Sequence, residues 1–225
     1  MNRLPPVTQA LLWSMAIVFL LQQVIPEAFF LPFALWPWGS FPTGLSASGT
    51  SIDIGFMPWQ LVTYGFLHGG IGHLFFNGLA LFQFGAPLEN VWGSKRFAIY
   101  FFVCMIGAGL CQLGVTTLML SYGAPPIPTI GASGGVFGLL LAYGMLFPTQ
   151  RVMMLIPPVE MSAKTLVIVF GALELLMGVT GTAAGVAHFA HLGGMLFGWL
   201  LIRYWRGQPP FSRKKPPPPK FRIVR

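Results

Sequence analysis

The chain has 225 residues, of which 55% are hydrophobic and only 8% are charged. Soluble globular domains carry about 25% charged residues, so this composition excludes an ordinary soluble domain and indicates a multi-pass membrane protein. The length suits one helical bundle rather than two domains.

The formal net charge of +8 does not indicate a nucleic-acid partner, because the basic residues fall only near the chain ends and in alternate connections. This asymmetry is the pattern of the positive-inside rule. The thirteen basic residues are Arg3, Lys95, Arg96, Arg151, Lys164, Arg203, Arg206, Arg213, Lys214, Lys215, Lys220, Arg222 and Arg225.

Apolar runs long enough to cross a hydrocarbon core of about 30 Å predict an all-α membrane protein with six transmembrane helices. The predicted helices cover about 8–25, 72–88, 95–119, 132–147, 164–180 and 186–204. Connections 26–71, 120–131 and 181–185 lack Lys and Arg, whereas 89–96 and 148–164 contain them, so both termini are expected in the cytosol.

The domain prediction is therefore one six-helix unit over 1–205, followed by a tail over 206–225. The tail is basic and Pro-rich, and we expect it to lack fixed structure and to lie near anionic lipid headgroups. The long connection 26–71 contains "FFLPFALWPWGSFP". Its Trp and Phe residues suit a membrane interface, so we expect this connection to pack on the bundle.

Polar side chains at membrane depth are costly and are functional candidates by default. Counting about 1.5 Å per residue from the cytosolic end of each predicted helix puts five of them about 16–22 Å up, in one layer shared by three helices. These five are His73, Asn77, Ser133, His188 and His191. The other polar residues in or near the spans are His68, Gln83, Gln112 and Glu174.

This layer has the groups that nucleophilic serine chemistry requires. A serine becomes a good nucleophile when a base takes its proton, and imidazole suits that role. His73 and Asn77 are spaced i, i+4 and share one helix face. Ser133 lies at the N-terminus of its predicted helix, where unpaired backbone N–H groups favour negative charge. Either His188 or His191 could serve as the base, and the depth count slightly favours His188.

Each part of this set also has a structural alternative. The G-x-S-G stretch could be small-residue helix packing, and His73 with Asn77 could be an interhelical hydrogen-bond pair. Glu174 could be a relay, although a hydrogen-bonded structural role is favoured.

Three motifs occur in order on predicted helices 2, 4 and 6: "HGGIGHLFFNGLALFQFGAPLE" over 68–89, "GASGGVFG" over 131–138 and "AHLGGMLFG" over 190–198. With them, roughly residues 10–205 resemble the rhomboid intramembrane serine proteases. The resemblance implies a six-helix rhomboid bundle and a Ser–His dyad with no acidic third member, and neither a cofactor nor a metal is expected.

The resemblance also implies roles for individual residues. Ser133 would be the nucleophile, and His191 the general base and then the acid. His73, Asn77 and the Ser133 backbone N–H would form the oxyanion hole. Phe137 would lie against the catalytic imidazole.

Other positions would support this site. Gly194 and Gly198 would pack on Gly134 and Gly138, and His188 remains the rival base. Gly85 and Glu89 fit a structural G-x-x-x-E pattern of the family. Gln60 follows Trp59 where many bacterial members have Arg, so the anchoring of the first outer connection could differ.

The implied function is a serine endopeptidase that cleaves transmembrane segments of other membrane proteins within the lipid bilayer. We expect a multi-pass protein of the prokaryotic cell (inner) membrane, with an active site open to the non-cytosolic side and a mobile cap over 181–187. The sequence does not indicate an oligomeric state.

Two other function classes stay open at this point. One is a His-lined channel or transporter. Two observations disfavour it: no carboxylate or Cys joins the histidines at ligand spacing, and no internal repeat is apparent. The other is a non-proteolytic rhomboid-like protein that binds membrane clients, which the presence of both Ser133 and His191 disfavours.

Overall fold

The computed structural model describes residues 4–45, 51–155, 157–182 and 186–211. Residues 212–225 of the predicted tail and residues 183–185 of the predicted cap lie outside this part of the chain. Eight α-helices occur among the described residues: α1 Pro6–Val24, α2 Gln60–Thr63, α3 Ile71–Ala80, α4 Ala86–Trp92, α5 Ser94–Ser121, α6 Ser133–Leu146, α7 Ala163–Thr180 and α8 His188–Trp205.

Five of the predicted helices coincide, to within two residues at each end, with α1, α5, α6, α7 and α8. The predicted helix 72–88 corresponds to a longer and less regular helical run. This run consists of α3, a π-helical segment over Leu81–Gly85, and α4. Among the described residues, α1, α5 and α7 are long and apolar enough to cross a membrane, and α6 is a shorter apolar helix.

The described chain also contains two antiparallel hairpins that the all-α prediction did not include. They pair β1 (Phe41–Leu45) with β2 (Ser51–Ile54), and β3 (Arg151–Met153) with β4 (Glu160–Ser162). Both hairpins lie in connections, where backbone groups still need hydrogen-bond partners. In β3 the middle residue, Val152, is buried between two exposed ones, which is the alternation of a half-buried strand.

The helices α5, α6 and α8 pack at positions where glycine removes a side chain. A Cβ on Gly194 would collide with the carbonyl of Gly134, so the backbones of α8 and α6 touch there. A Cβ on Gly138 would meet Cys104 first and the Gly194 carbonyl oxygen at 3.2 Å. The prediction that Gly198 packs on α6 needs correction, because Gly198 instead faces Tyr100 and Cys104 of α5.

The first long connection is anchored by Gln60, which has no exposed surface. Its Oε1 accepts a hydrogen bond from the Trp36 backbone N–H at 3.1 Å. Its Nε2 donates to the carbonyls of Pro32 at 3.2 Å and Gly55 at 3.0 Å. The neutral amide therefore satisfies three backbone groups of the connection, so Gln60 itself anchors the first outer connection.

The same connection reaches the segment that precedes α6. Leu35 and Thr129 exchange two backbone hydrogen bonds, of 3.0 and 2.8 Å. The Gly131 N–H donates to the Tyr64 carbonyl at 2.8 Å. These bonds fix the approach of the chain to Ser133, the first residue of α6.

At the opposite end of the bundle, Glu89 is 2% exposed and caps the start of α1. Its carboxylate accepts hydrogen bonds from the backbone N–H groups of Val7 (2.9 Å) and Thr8 (2.7 Å). The hydroxyls of Thr8 and Ser94 each donate to it at 2.7 Å. Negative charge is favourable at a helix N-terminus, so Glu89 joins α1, α4 and α5 at one point.

We expect Glu89→Ala to lower the free energy of unfolding by about 2–4 kcal/mol, because it leaves buried N–H donors at the start of α1 without an acceptor. The measurement is thermal unfolding in detergent followed by circular dichroism. Glu160→Ala, which removes an exposed carboxylate, is the matched control and should leave the transition unchanged. Equal transitions for the Glu89 variant and the wild type would contradict the capping role.

The same contact predicts a pH dependence of stability. Burial opposes ionisation of Glu89, but the hydrogen bonds from Ser94, Val7 and Thr8 outweigh it and lower the pKa of the carboxyl. The ordinary pKa of a Glu carboxyl is about 4.3. Because the folded-state pKa is lower, ionised Glu89 stabilises the protein at pH values above the ordinary pKa, and this stabilisation is lost as the pH falls through the folded-state pKa. The wild type should therefore lose more stability on acidification than Glu89→Ala.

Candidate active site

Ser133 and His191 meet between α6 and α8. The Ser133 Oγ lies 2.8 Å from the His191 Nε2, and His191 is buried, with 8% of its surface exposed. Ser133 is the first residue of α6, so its backbone N–H and those of the next residues have no carbonyl partner in the preceding turn. The hydroxyl therefore lies beside an imidazole nitrogen and the positive end of a helix dipole.

The ring of Phe137 stacks on the His191 imidazole. The ring centroids are 4.2 Å apart and the planes differ by 4°. Phe137 lies one helical turn after Ser133, so α6 supplies both the hydroxyl and the aromatic surface. The stack restricts the plane of the imidazole beside the Ser133 hydroxyl.

On the other side of Ser133, α3 places His73 and Asn77 beside Gly131. A Cβ on Gly131 would lie 2.6 Å from the His73 Nε2 and 3.8 Å from the Asn77 Nδ2. Gly131 also has a φ of +118°, a conformation that side-chain-bearing residues rarely adopt. Both the backbone conformation and the space therefore require glycine here, which sequence reasoning did not single out.

The polar atoms of His73 and Asn77 are suited to donate hydrogen bonds into this space. The Gly69 N–H lies 3.4 Å from the His73 Nδ1, a long hydrogen bond in which Nδ1 accepts. A neutral imidazole that accepts at Nδ1 carries its hydrogen on Nε2. Asn77 is 5% exposed, and its Nδ2 has no hydrogen-bond partner in the described part of the chain. A buried, unpaired donor is costly, so a ligand atom accepting from it would be stabilised.

His68 lies next to this group but is held by Gln22 of α1 and by Phe66. Its backbone N–H donates to the Gln22 Oε1 at 3.0 Å, and its Nδ1–H donates to the Phe66 carbonyl at 3.2 Å. Burial, together with the nearby His73 imidazole, lowers the pKa of His68 to about 4. His68 is therefore neutral near pH 7 and packs against His73, with ring centroids 5.1 Å apart.

The second histidine of α8, His188, is turned away from Ser133. Its Nδ1 lies 2.6 Å from the Glu174 Oε2, and its Nε2 lies 3.1 Å from the Thr182 carbonyl oxygen. Both ring nitrogens are thus engaged by oxygens of α7 and of the segment that follows it. Of the two candidate bases, only His191 is within hydrogen-bond distance of the Ser133 hydroxyl.

Glu174 is close to both histidines of α8. Its Oε2 lies 2.9 Å from the His191 Nδ1, although the oxygen lies off the N–H axis, so the contact is electrostatic rather than a directed hydrogen bond. The sequence contained no signal for this contact, because Glu174 is 14 residues from His188 and on another helix. The expectation that no carboxylate joins the histidines is therefore wrong in three dimensions.

Glu174, His188 and His191 form the one group of potential metal ligands found among the described residues, with their ligand atoms within 4.8 Å of one another. Both Nδ1 atoms already contact the same carboxylate oxygen directly. An ion between them would have to separate these pairs. The geometry thus favours direct contacts between the carboxylate and the imidazoles over metal ligation.

A cavity of about 1090 Å³ opens in front of Ser133. Its lining includes residues of α3 and the π-helical segment, of α6 and of α7, together with Val186 and Ala187 before α8. Ser133, His191, His73 and Asn77 all line it, and its other surfaces are mainly apolar, including Phe76, Phe82, Met153, Leu155, Leu166 and Phe170. The cavity can therefore accept an apolar chain beside the polar cluster.

The described features define an integral membrane protein, built mainly of helices, with a serine and a histidine in contact below a large apolar cavity. The family model of the Rhomboid domain matches residues 55–207 of this chain. The chain therefore belongs to the rhomboid family.

Several curated relatives support this membership. Rhomboid protease GluP of Bacillus subtilis (strain 168) is 32% identical over 141 residues, which are 63% of this chain and 25% of the relative. RHOMBOID-like protein 4 of Arabidopsis thaliana is 33% identical over 143 residues, which are 64% of this chain and 33% of the relative. Rhomboid protein 1, mitochondrial, of Saccharomyces cerevisiae is 30% identical over 155 residues, with 64% of this chain and 42% of the relative covered. The chain thus spans between a quarter and a half of the length of these three relatives.

Proposed function

We propose that this protein is an intramembrane serine endopeptidase that hydrolyses peptide bonds in transmembrane segments of other membrane proteins. The observation that carries the proposal is the 2.8 Å contact between the Ser133 hydroxyl and the His191 imidazole, in a chain of the rhomboid family. One of the relatives described above, from Bacillus subtilis, is named a rhomboid protease.

In the proposed mechanism, His191 accepts the Ser133 hydroxyl proton at Nε2 as Oγ attacks the scissile carbonyl. The carbonyl oxygen becomes an oxyanion, which accepts hydrogen bonds from the His73 Nε2–H, the Asn77 Nδ2–H and the Ser133 backbone N–H. His191 then gives its proton to the leaving amine, and the acyl group stays on Ser133. A water molecule, deprotonated by His191, completes hydrolysis of the ester.

The supply of water follows from the depth of Ser133. Helix α6 has 14 residues and is therefore about 21 Å long, which is less than the hydrocarbon core of about 30 Å. When its last turn reaches the cytosolic surface, Ser133 lies about 10 Å below the opposite surface. We propose that the cavity connects this level to the non-cytosolic side, and that a substrate helix enters from lipid between α3 and α7.

The proposed orientation has six membrane-crossing segments with both termini in the cytosol, because the uncharged connections then face outwards. The cell membrane of a prokaryote is the proposed location. The segment 181–187 is the proposed cap, and Val186 and Ala187 at its end line the cavity.

The test is cleavage of a single-span model substrate by the purified protein in detergent, together with labelling by a serine-reactive fluorophosphonate. We expect both reactions, with the label blocking cleavage. Metal-dependent flux in liposomes with no labelling would instead favour the channel or transporter. Binding of the substrate with neither cleavage nor labelling would favour a client-binding protein.

Asn77→Ala is expected to lower kcat by about 10²–10³-fold, the usual cost of removing one oxyanion donor. KM should change little, because the donor contacts charge that develops only in the transition state. The measurement is steady-state cleavage in detergent. Gln9→Ala, which removes an exposed amide from α1, is the matched control. A variant in which KM rises and kcat is unchanged would contradict the oxyanion role.

A further inference from the structure

Glu174 connects α7 to both histidines of α8 through one carboxylate oxygen. The Oε2 lies 2.6 Å from the His188 Nδ1 and 2.9 Å from the His191 Nδ1. The Glu174 side chain is only 12% exposed. A carboxylate in such a place requires paired donors, since burial of an unpaired charge is strongly unfavourable.

The contacts around His188 hold the Glu174 carboxylate in place. His188 faces the Glu174 carboxylate with Nδ1 and the Thr182 carbonyl oxygen with Nε2. The 2.6 Å contact at Nδ1 fixes Oε2 between the two imidazoles of α8.

The stack of Phe137 on His191 leaves two properties of the imidazole unspecified. A 180° rotation of the imidazole about its Cβ–Cγ bond would keep the stack but would exchange the positions of nitrogen and carbon, and the stack is also indifferent to which nitrogen carries the hydrogen. The Ser133 hydroxyl at Nε2 selects the ring orientation, but a hydroxyl can donate or accept, so it does not select the tautomer. A polar partner at Nδ1 can select the tautomer, and the Glu174 Oε2 lies 2.9 Å from that atom.

We propose that Glu174 is a positioning residue for the Ser133–His191 pair. A carboxylate on α7 then has the role that an acidic third residue has in a catalytic triad. Its negative charge favours the neutral imidazole with hydrogen on Nδ1, which leaves the Nε2 lone pair directed at the Ser133 hydroxyl. It then stabilises the imidazolium that forms when Nε2 accepts the serine proton, and the Nδ1 hydrogen stays on the ring throughout. His188 contacts the same carboxylate oxygen from the other side and holds it in place.

This inference rests on the proposed function, but a readout independent of activity can test it. The chain has four histidines, so the ¹⁵N spectrum of the histidine-labelled protein is simple, and His191→Ala identifies the His191 signals. We expect the wild type to have the Nδ1–H tautomer at His191. In Glu174→Leu, which has similar volume and no acceptor, we expect this tautomer to lose its predominance.

The kinetic test compares Glu174→Leu, Glu174→Gln and wild type. We expect kcat to fall about 10- to 100-fold in the Leu variant, the usual cost of losing a group that orients a functional imidazole, with KM within about twofold of the wild-type value. The Gln variant should be intermediate, because its amide oxygen keeps a partial negative charge near the His191 Nδ1 but the side chain has no net charge. Glu160→Gln, at the exposed first position of β4, controls for removal of a carboxylate.

A competing role for Glu174 is purely structural, namely joining α7 to α8 through His188. In that case Glu174→Leu would lower the thermal stability but leave the His191 tautomer as in the wild type, and that result would overturn the proposal. Wild-type kcat and an unchanged His191 tautomer in Glu174→Leu would overturn it as well. If Glu174→Leu does not fold, the Gln variant decides by the same criteria. Absence of cleavage by the wild type would instead refute the proposed protease, while the tautomer would still test the contact with Glu174.

Discussion

Ser133→Ala is expected to abolish cleavage of a single-span substrate, with a loss in kcat of at least about 10⁴-fold, the scale seen when a serine nucleophile is removed. In the proposed mechanism the Oγ forms the acyl bond, and alanine has no group that can replace it. The substitution removes one oxygen from a half-buried position at the start of α6, so the fold should be retained. The measurement is cleavage in detergent, with fluorophosphonate labelling of the same samples.

The matched control for this result is Ser121→Ala at the exposed end of α5, which should cleave and label like the wild type. Thermal unfolding of both variants should match that of the wild type. Cleavage by Ser133→Ala at the wild-type rate would refute the nucleophile assignment and, with it, the proposed mechanism.

His191→Ala is expected to be inactive, whereas His188→Ala should keep measurable activity. The reason is geometric, because the His191 Nε2 lies 2.8 Å from the Ser133 Oγ while both nitrogens of His188 contact oxygens of Glu174 and Thr182. General-base catalysis contributes about 10²–10⁴-fold, so the His191 variant should lose at least that factor in kcat. His188→Ala should also weaken the contact between α7 and α8 and lower the thermal stability.

The measurement is kcat for both variants with the same substrate, and unfolding temperatures verify that each variant is folded. The opposite pattern, with His188→Ala inactive and His191→Ala active, would move the base to His188. Equal and complete loss in both variants would mean that Glu174 and the two histidines act as one unit, and the Glu174→Gln comparison would then separate their contributions.

Much of the helical framework could be predicted because its signals are local. Apolar runs bounded by charged or glycine-rich segments located α1, α5, α6, α7 and α8 to within two residues at each end. The i, i+4 spacing put His73 and Asn77 on one face of α3, and both side chains do border Gly131. Hairpins in the connections were missed, because their short strands carry no repeated pattern that distinguishes them from irregular loops.

The amino-acid sequence by itself determined the class of protein, the approximate helix ends and the candidate polar residues of the helices, because these depend on composition, period and length. Only the tertiary structure decided which histidine contacts Ser133, how Gln60 anchors the first connection, and that Glu174 reaches both histidines of α8. Those outcomes depend on the rotation and crossing of helices far apart in the chain. The backbone contact between Gly134 and Gly194 sets that crossing, and it brings His191 rather than His188 to the hydroxyl.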